Sequence, residues 1–188
     1  MKWILFFAAL GCFASFGWGM LRHFRRDGKP SPGMILTAAA APLFAAMHVF
    51  ALLEKPLMCP LLAGSIYLAG AALFWRAVAA TRGHDLAACF QHHAPAAVVR
   101  GGPYRFVRHP FYCAYTLVWI GGWAATGWLP LAFAAIFMAS LYICATLREE
   151  REFLGSPRRD AYLSYMQTTG RFFPKCRGLI SHHADPID

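Results

Sequence analysis

The chain has 188 residues, 58% of them hydrophobic and only 14% charged, and carries a formal net charge of +9. That balance excludes an ordinary soluble domain. The basic residues sit beside long apolar runs rather than on a polar domain, which counts against a nucleic-acid partner.

Crossing roughly 30 Å of hydrocarbon takes about 20 apolar residues. Residues 1–21, 34–53 and 57–80 each meet that requirement. A fourth run, 111–147, holds no charged side chain and is too long for one crossing. Gly127-Trp128-Leu129-Pro130 breaks it into helices over 111–126 and 129–147, the first short for a full span. The expectation is an all-α integral membrane protein of about five transmembrane helices. Lys2 could head a signal peptide, but the apolar core runs on to Leu21 and no small-x-small cleavage site follows, so the first run reads as a span.

Basic residues set the orientation. Arg22, Arg25, Arg26, Lys29, Arg82, Arg100, Arg105, Arg108 and the tail basics share one side, against Lys2 and Lys55 on the other. The N-terminus is therefore expected outside and the C-terminus in the cytoplasm. The membrane is a bacterial inner membrane or an endomembrane.

The chain divides functionally near Arg82: residues 1–80 hold three spans with little chemistry and residues 81–188 the catalytic region. Pro30 and Pro32 end the first basic loop, and His48 and Thr37 read as polar residues serving helix packing. Residues 81–107 form the longest polar segment, with His84, Asp85, Gln91, His92 and His93. Three histidines at that spacing, without a matching carboxylate or cysteine set, fit no metal pattern. The six cysteines form no CxxC pair and read as small apolar residues. Beyond the last span, residues 147–154 predict an amphipathic helix, Pro157 an interruption, and Tyr162 and Tyr165 a second short helix ending near Gly170.

Chemistry concentrates where the long apolar run begins and ends. In the stretch 101–112, Gly101, Gly102 and Pro103 make a tight turn, and Tyr104 offers a ring and a hydroxyl. Arg108 presents a planar fork suited to a carboxylate. Pro110 suits the first position of a helix, whose free N–H groups favour an anion. After the hairpin, Arg148-Glu149-Glu150-Arg151-Glu152 returns to the same membrane face. Its carboxylates complement an ammonium, a sulfonium or a ribose diol.

The order Gly102-Pro103-Tyr104-Arg105-Phe106-Val107-Arg108-His109-Pro110-Phe111-Tyr112, apolar hairpin, Glu149-Glu150, Tyr162, Tyr165, Arg171-Phe172-Phe173-Pro174 resembles the isoprenylcysteine carboxyl methyltransferase and phospholipid methyltransferase superfamily. The likeness covers about the last 90 residues. It implies a membrane methyltransferase with a cytoplasmic, helical cofactor-binding region that uses S-adenosylmethionine, its lipophilic acceptor entering from the bilayer. By that resemblance Tyr104, His109, Pro110, Phe111 and Tyr112 contact the cofactor, and one of Glu149 and Glu150 holds its polar end. Residues 96–99, including Val98 and Val99, form a strand-like wall, and Arg148 faces the acceptor. Three departures stand out: Ala114 where a glycine is usual, Ala96 where a histidine is usual, and Pro157-Arg158-Arg159 where a Phe-Gly pair is usual.

Methyl transfer from a sulfonium needs alignment above all, worth about 7–11 kcal/mol. A carboxylate acceptor such as a prenylcysteine needs only a cation, Arg148 or Arg105. A lipid amine needs a base, His109 or a glutamate such as Glu150. Two other classes share parts of the pattern. A sterol-reductase-like enzyme would use NADPH, and a non-enzymatic membrane subunit would hold haem or metal through its histidines.

Overall fold

The computed structural model describes residues 1–25, 30–83, 86–87 and 98–175. Six helices follow in chain order: α1 (Lys2–Trp18), α2 (Pro32–Glu54), α3 (Pro60–Ala80), α4 (Pro110–Thr126), α5 (Leu129–Leu154) and α6 (Arg159–Thr168). The last turn of α1 widens into a π-helical segment over Gly19–His23. Phe24–Arg25 then pairs in parallel with Leu86–Ala87 over two residues, a minor feature of an all-α membrane fold.

Four helical stretches are long and apolar enough to cross a membrane: Lys2–His23, Pro32–Glu54, Pro60–Ala80 and Leu129–Leu154. The fifth expected span, α4, has 17 residues and a rise of roughly 26 Å, short of the hydrocarbon thickness. Its position explains how a short helix serves. Eleven of its 17 residues are buried, against three of 17 in α1, so α4 is the protein-wrapped centre and α1 faces lipid. Leucines and phenylalanines on the outer faces of α1, α2, α3 and α5 are correspondingly exposed.

Local chemistry sets the helix ends. The Ser31 side chain accepts from the Met34 N–H and Pro32 occupies the first turn, so the prolines that close the basic loop also open α2. Gly127, at φ 64°, takes the left-handed conformation that ends α4, and Pro130 sits in the first turn of α5. The break expected in the long apolar run is therefore a tight helical hairpin. Beyond it α5 does not stop at residue 147. It continues unbroken to Leu154, helped by an Arg148–Glu152 pair one turn apart at 3.4 Å, so the acidic cluster rides on the same rigid rod as the span.

Two contacts lock α4 in place. Ala114 does not hold the helices apart, because α3 carries Gly70 opposite it. A Cβ on Gly70 would lie 3.2 Å from the Ala114 carbonyl and 3.0 Å from Val118. Nearer the hairpin turn, α4 presents Gly121 to the Tyr67 ring and Gly122 to the His48 ring. His48 Nε2 and Tyr67 Oη meet at 2.6 Å, tying α2 to α3 across α4. His48 is thus a packing residue, as its isolation on an apolar helix implied. A Cβ on Gly122 would lie 2.2 Å from the His48 ring. Gly122→Ala should therefore lower stability by about 1–3 kcal/mol in detergent unfolding. Gly11→Ala, where nothing lies within 4 Å, should be neutral or slightly stabilising. Equal effects of the two would refute the lock.

Candidate active site

The α4–α5 hairpin brings the two ionisable clusters into contact. Glu150, 4% exposed, is the meeting point. Arg108 donates to its Oε1 from Nη2 at 2.8 Å and from Nε at 3.1 Å. His109 Nε2 lies 3.2 Å from the same oxygen, and Arg171 Nη2 lies 2.5 Å from Oε2. A buried carboxylate held by this many charged donors is satisfied within the protein. The remaining arm of Arg108, Nη1, donates to the Thr169 carbonyl. The fork that the sequence offers to a ligand carboxylate is therefore engaged with Glu150 and the chain after α6.

That chain is fastened along the start of α4. The Arg108 N–H donates to the Gly170 carbonyl at 2.8 Å and the His109 N–H to the Arg171 carbonyl at 3.3 Å. Cys113 Sγ donates to the Phe172 carbonyl, and the Phe172 ring lies against His109. On the other side, Tyr165 Oη donates to the Tyr104 carbonyl at 2.6 Å, and Arg100 reaches the Ala161 carbonyl. α6 thereby closes over residues 98–112.

Between them lies a cleft of about 130 Å³. Its walls are mostly rings: Phe111 on the Phe24 ring at 4.9 Å, Tyr162 stacked on Phe153 at 4.3 Å and 8°, and Tyr104 and Tyr165. Its acidic group is Glu149, whose side chain is 31% exposed and accepts a hydrogen bond from Tyr112 Oη. His109 Nδ1 stands 3.5 Å from Glu149. The imidazole is thus set between two carboxylates. Burial pushes its pKa down, but the bonds and charges of Glu149 and Glu150 outweigh that and hold it above the ordinary 6.5. Burial raises the Tyr104 phenol, and Glu149 and Tyr165 raise it further, so that hydroxyl stays protonated.

A second cavity of about 840 Å³ adjoins the cleft, running between α1, α2, α4 and α5. Its side-chain lining carries no charge among the described residues. Met20, Tyr112 and Tyr115 line both cavities and form the wall between them. Tyr112 is held in that wall by its bond to Glu149 and by stacking on Tyr142 at 5.4 Å and 21°.

Most of the residues expected from the sequence gather here. Val98, Val99, Tyr104, Arg108, His109, Pro110, Phe111, Tyr112 and Glu149 line the cleft. Val98 and Val99 do so in irregular backbone rather than as a strand, and Ala96 lies outside the described residues. Glu150 stands behind the lining, bound to its three cations. Arg148 is paired with Glu152 and Arg105 is exposed, and neither lines the cleft or the second cavity. His84, His92, His93, Cys89 and Cys176 lie outside the described residues.

A family model described as phospholipid methyltransferase matches residues 61–156. The chain belongs to this family. No curated protein and no solved structure shows a significant match beside it. As a phospholipid methyltransferase family member, the chain is a multi-pass membrane methyltransferase, which selects that class over a reductase or a haem subunit. The matched segment runs from α3 to the end of α5 and holds both clusters that meet at Glu150. α1, α2 and α6 lie outside it, yet each lines a cavity.

Sequence reasoning missed Met20 and Phe24, because the first three helices show no motif. It quoted Tyr162 and Tyr165 without giving them a place at the site. The signal for the tyrosines was present: a helical i,i+3 pair in a segment otherwise polar.

The Glu150 hub makes two predictions. Glu150→Ala leaves Arg108 buried without its partner and should lower stability by about 3–5 kcal/mol. Thermal unfolding in detergent checks it, and a loss below 1 kcal/mol would sink the hub. The raised His109 pKa gives stability that is complete below pH 6.5 and lost as pH climbs through the raised value. The unfolding temperature should therefore fall as pH rises above 6.5, and His109→Asn should flatten that fall.

Proposed function

We propose that this membrane methyltransferase takes its methyl group from S-adenosylmethionine bound in the aromatic cleft and delivers it to a lipid amine whose hydrocarbon lies in the adjoining groove. The observation that carries this reading is the shared wall of Met20, Tyr112 and Tyr115, which joins a polar, ring-lined cleft to a large uncharged cavity.

The cleft residues fit the cofactor in chemistry. Tyr104, Phe111, Tyr162 and Tyr165 offer ring faces for an adenine, and the half-exposed Glu149 carboxylate suits a ribose diol or an ammonium. The first turn of α4, opened by Pro110, supplies free N–H groups for a carboxylate, the role that Arg108 leaves vacant. When bound, the cofactor supplies an electrophilic methyl on a sulfonium. The protein's own work is to hold Glu149 through Tyr112 and His109, to shut the cleft with α6, and to keep water from the shared wall.

The acceptor assignment follows from placement. A carboxylate head would need Arg105 or Arg148, and neither lines the cleft or the groove. An amine head must lose a proton, and Glu149 lines the cleft beside Tyr112. His109, held protonated between two carboxylates, orients Glu149 and is not itself the base. The cleft end of the bundle carries Arg22, Arg82, Arg100, Arg105 and Arg108, whereas Lys2 and Lys55 lie at the hairpin-turn end, with Lys55 over Trp128. The cleft is accordingly assigned to the cytoplasmic face.

Labelled-methyl transfer from S-adenosylmethionine to a total lipid extract tests the whole reading. Label that survives mild alkali marks an N-methyl lipid, whereas label released as methanol marks a methyl ester and would overturn the amine assignment. Glu149→Gln should weaken S-adenosylmethionine binding at least tenfold, about 1.4 kcal/mol, with the unfolding temperature nearly unchanged.

A further inference from the structure

α2 supplies the longest wall of the uncharged groove, and that wall is interrupted by Pro42, a proline inside a helix. Proline has no N–H, so the carbonyl four residues back, on Ala38, loses its helical donor. Ala38 and Pro42 both line the groove, so this turn of α2 borders it. An unpaired carbonyl at membrane depth costs several kcal/mol unless a donor reaches it. Thr37, the residue before Ala38, also lines the groove. Its hydroxyl donates to the Gly33 carbonyl at 2.8 Å, which leaves the oxygen free to accept. The α2 wall thus offers two acceptors, the Ala38 carbonyl and the Thr37 hydroxyl oxygen, on a helix face otherwise lined by apolar side chains.

We propose that this notch in α2 is the specificity-determining element for the acceptor. It selects a lipid that carries a hydrogen-bond donor, an amide N–H or a hydroxyl, in the linker between its head and its chains. A diacyl lipid joined only by ester groups brings acceptors against acceptors there and leaves the Ala38 carbonyl unmet. A lipid with an amide or hydroxyl at the same depth pairs it. Recognition of this kind discriminates strongly, because the penalty falls on a buried polar group left without a partner. Continuity places the lipid: the groove meets the cleft at Met20, Tyr112 and Tyr115, so a head at that wall sets the linker and chains along α1 and α2. α2 lies outside the matched residues 61–156.

The inference rests on the reading of the groove as the acceptor site, and its test separates the two. Ceramide phosphoethanolamine and dioleoyl phosphatidylethanolamine share one amine head and differ in linker donors. With the full chain in detergent micelles, both are measured for binding by native mass spectrometry and for kcat/KM in labelled-methyl transfer. Wild type should favour the ceramide lipid at least tenfold in binding. Pro42→Ala, which restores the N–H to the Ala38 carbonyl, and Thr37→Val, which keeps the shape and removes the hydroxyl, should each cut that ratio at least threefold. A ratio is insensitive to uniform loss of folded protein, and Thr37→Val keeps the test decisive if Pro42→Ala folds poorly. Binding preference without methyl transfer would support the notch and overturn the amine methyltransferase reading. Methyl transfer to both lipids without preference would overturn the notch alone. A preference unchanged in both variants, or no binding of either lipid, would overturn it as well.

Discussion

The structure depends on one buried carboxylate. Glu150 is held by Arg108 from the segment before α4, by His109 at the α4 cap and by Arg171 from the chain after α6. Three segments far apart in sequence are thereby fixed to the end of a single long helix. A charge placed there would be very costly if any partner were missing, because its desolvation is offset only by a complete set of donors. The same demand gives geometry: with Glu150 fixed, its neighbour Glu149 is turned toward the cleft, where Tyr112 and His109 can reach it.

The pair of glutamates therefore divides its work. Glu150 builds and Glu149 faces the cleft, although adjacent residues on one helix carry the same chemistry. Burial decides which is which, at 5% side-chain exposure against 31%. Tyr112 couples that division to the neighbouring cavity, since its hydroxyl binds Glu149 while its ring forms the wall toward the groove. Cleft and groove are positioned by one side chain. Alignment across that wall is what methyl transfer requires of a protein.

Around this polar end the bundle is built for close approach. α4 is too short to span alone, and it works because α2, α3 and α5 wrap it. Small residues carry that wrapping: Gly70 faces Ala114, while Gly121 and Gly122 receive Tyr67 and His48. Between α1, α2 and the α4–α5 hairpin the packing opens into the groove, where the middle of α2 offers alanines and Pro42. One helix bundle thus combines a tightly packed core with a large apolar cavity.

Sequence by itself determined the helices, their apolar faces, the hairpin break at Gly127 and the meeting of the two ionisable clusters. Each of these follows from local physics: span length, proline and glycine preferences, and the simple return of a helical hairpin. Of the nine cleft residues from Val98 to Glu149, local chemistry singled out Tyr104, Arg108, Pro110 and Glu149, and the family resemblance supplied the other five. Tertiary structure alone decided which glutamate is buried and that Arg108 binds within the protein. It also left Arg148 and Arg105 out of the lining of both cavities and set Met20, Phe24, Tyr162 and Tyr165 in the walls. Those outcomes depend on the side to which a residue is turned and on which charges compete for it, and only the packed structure sets either.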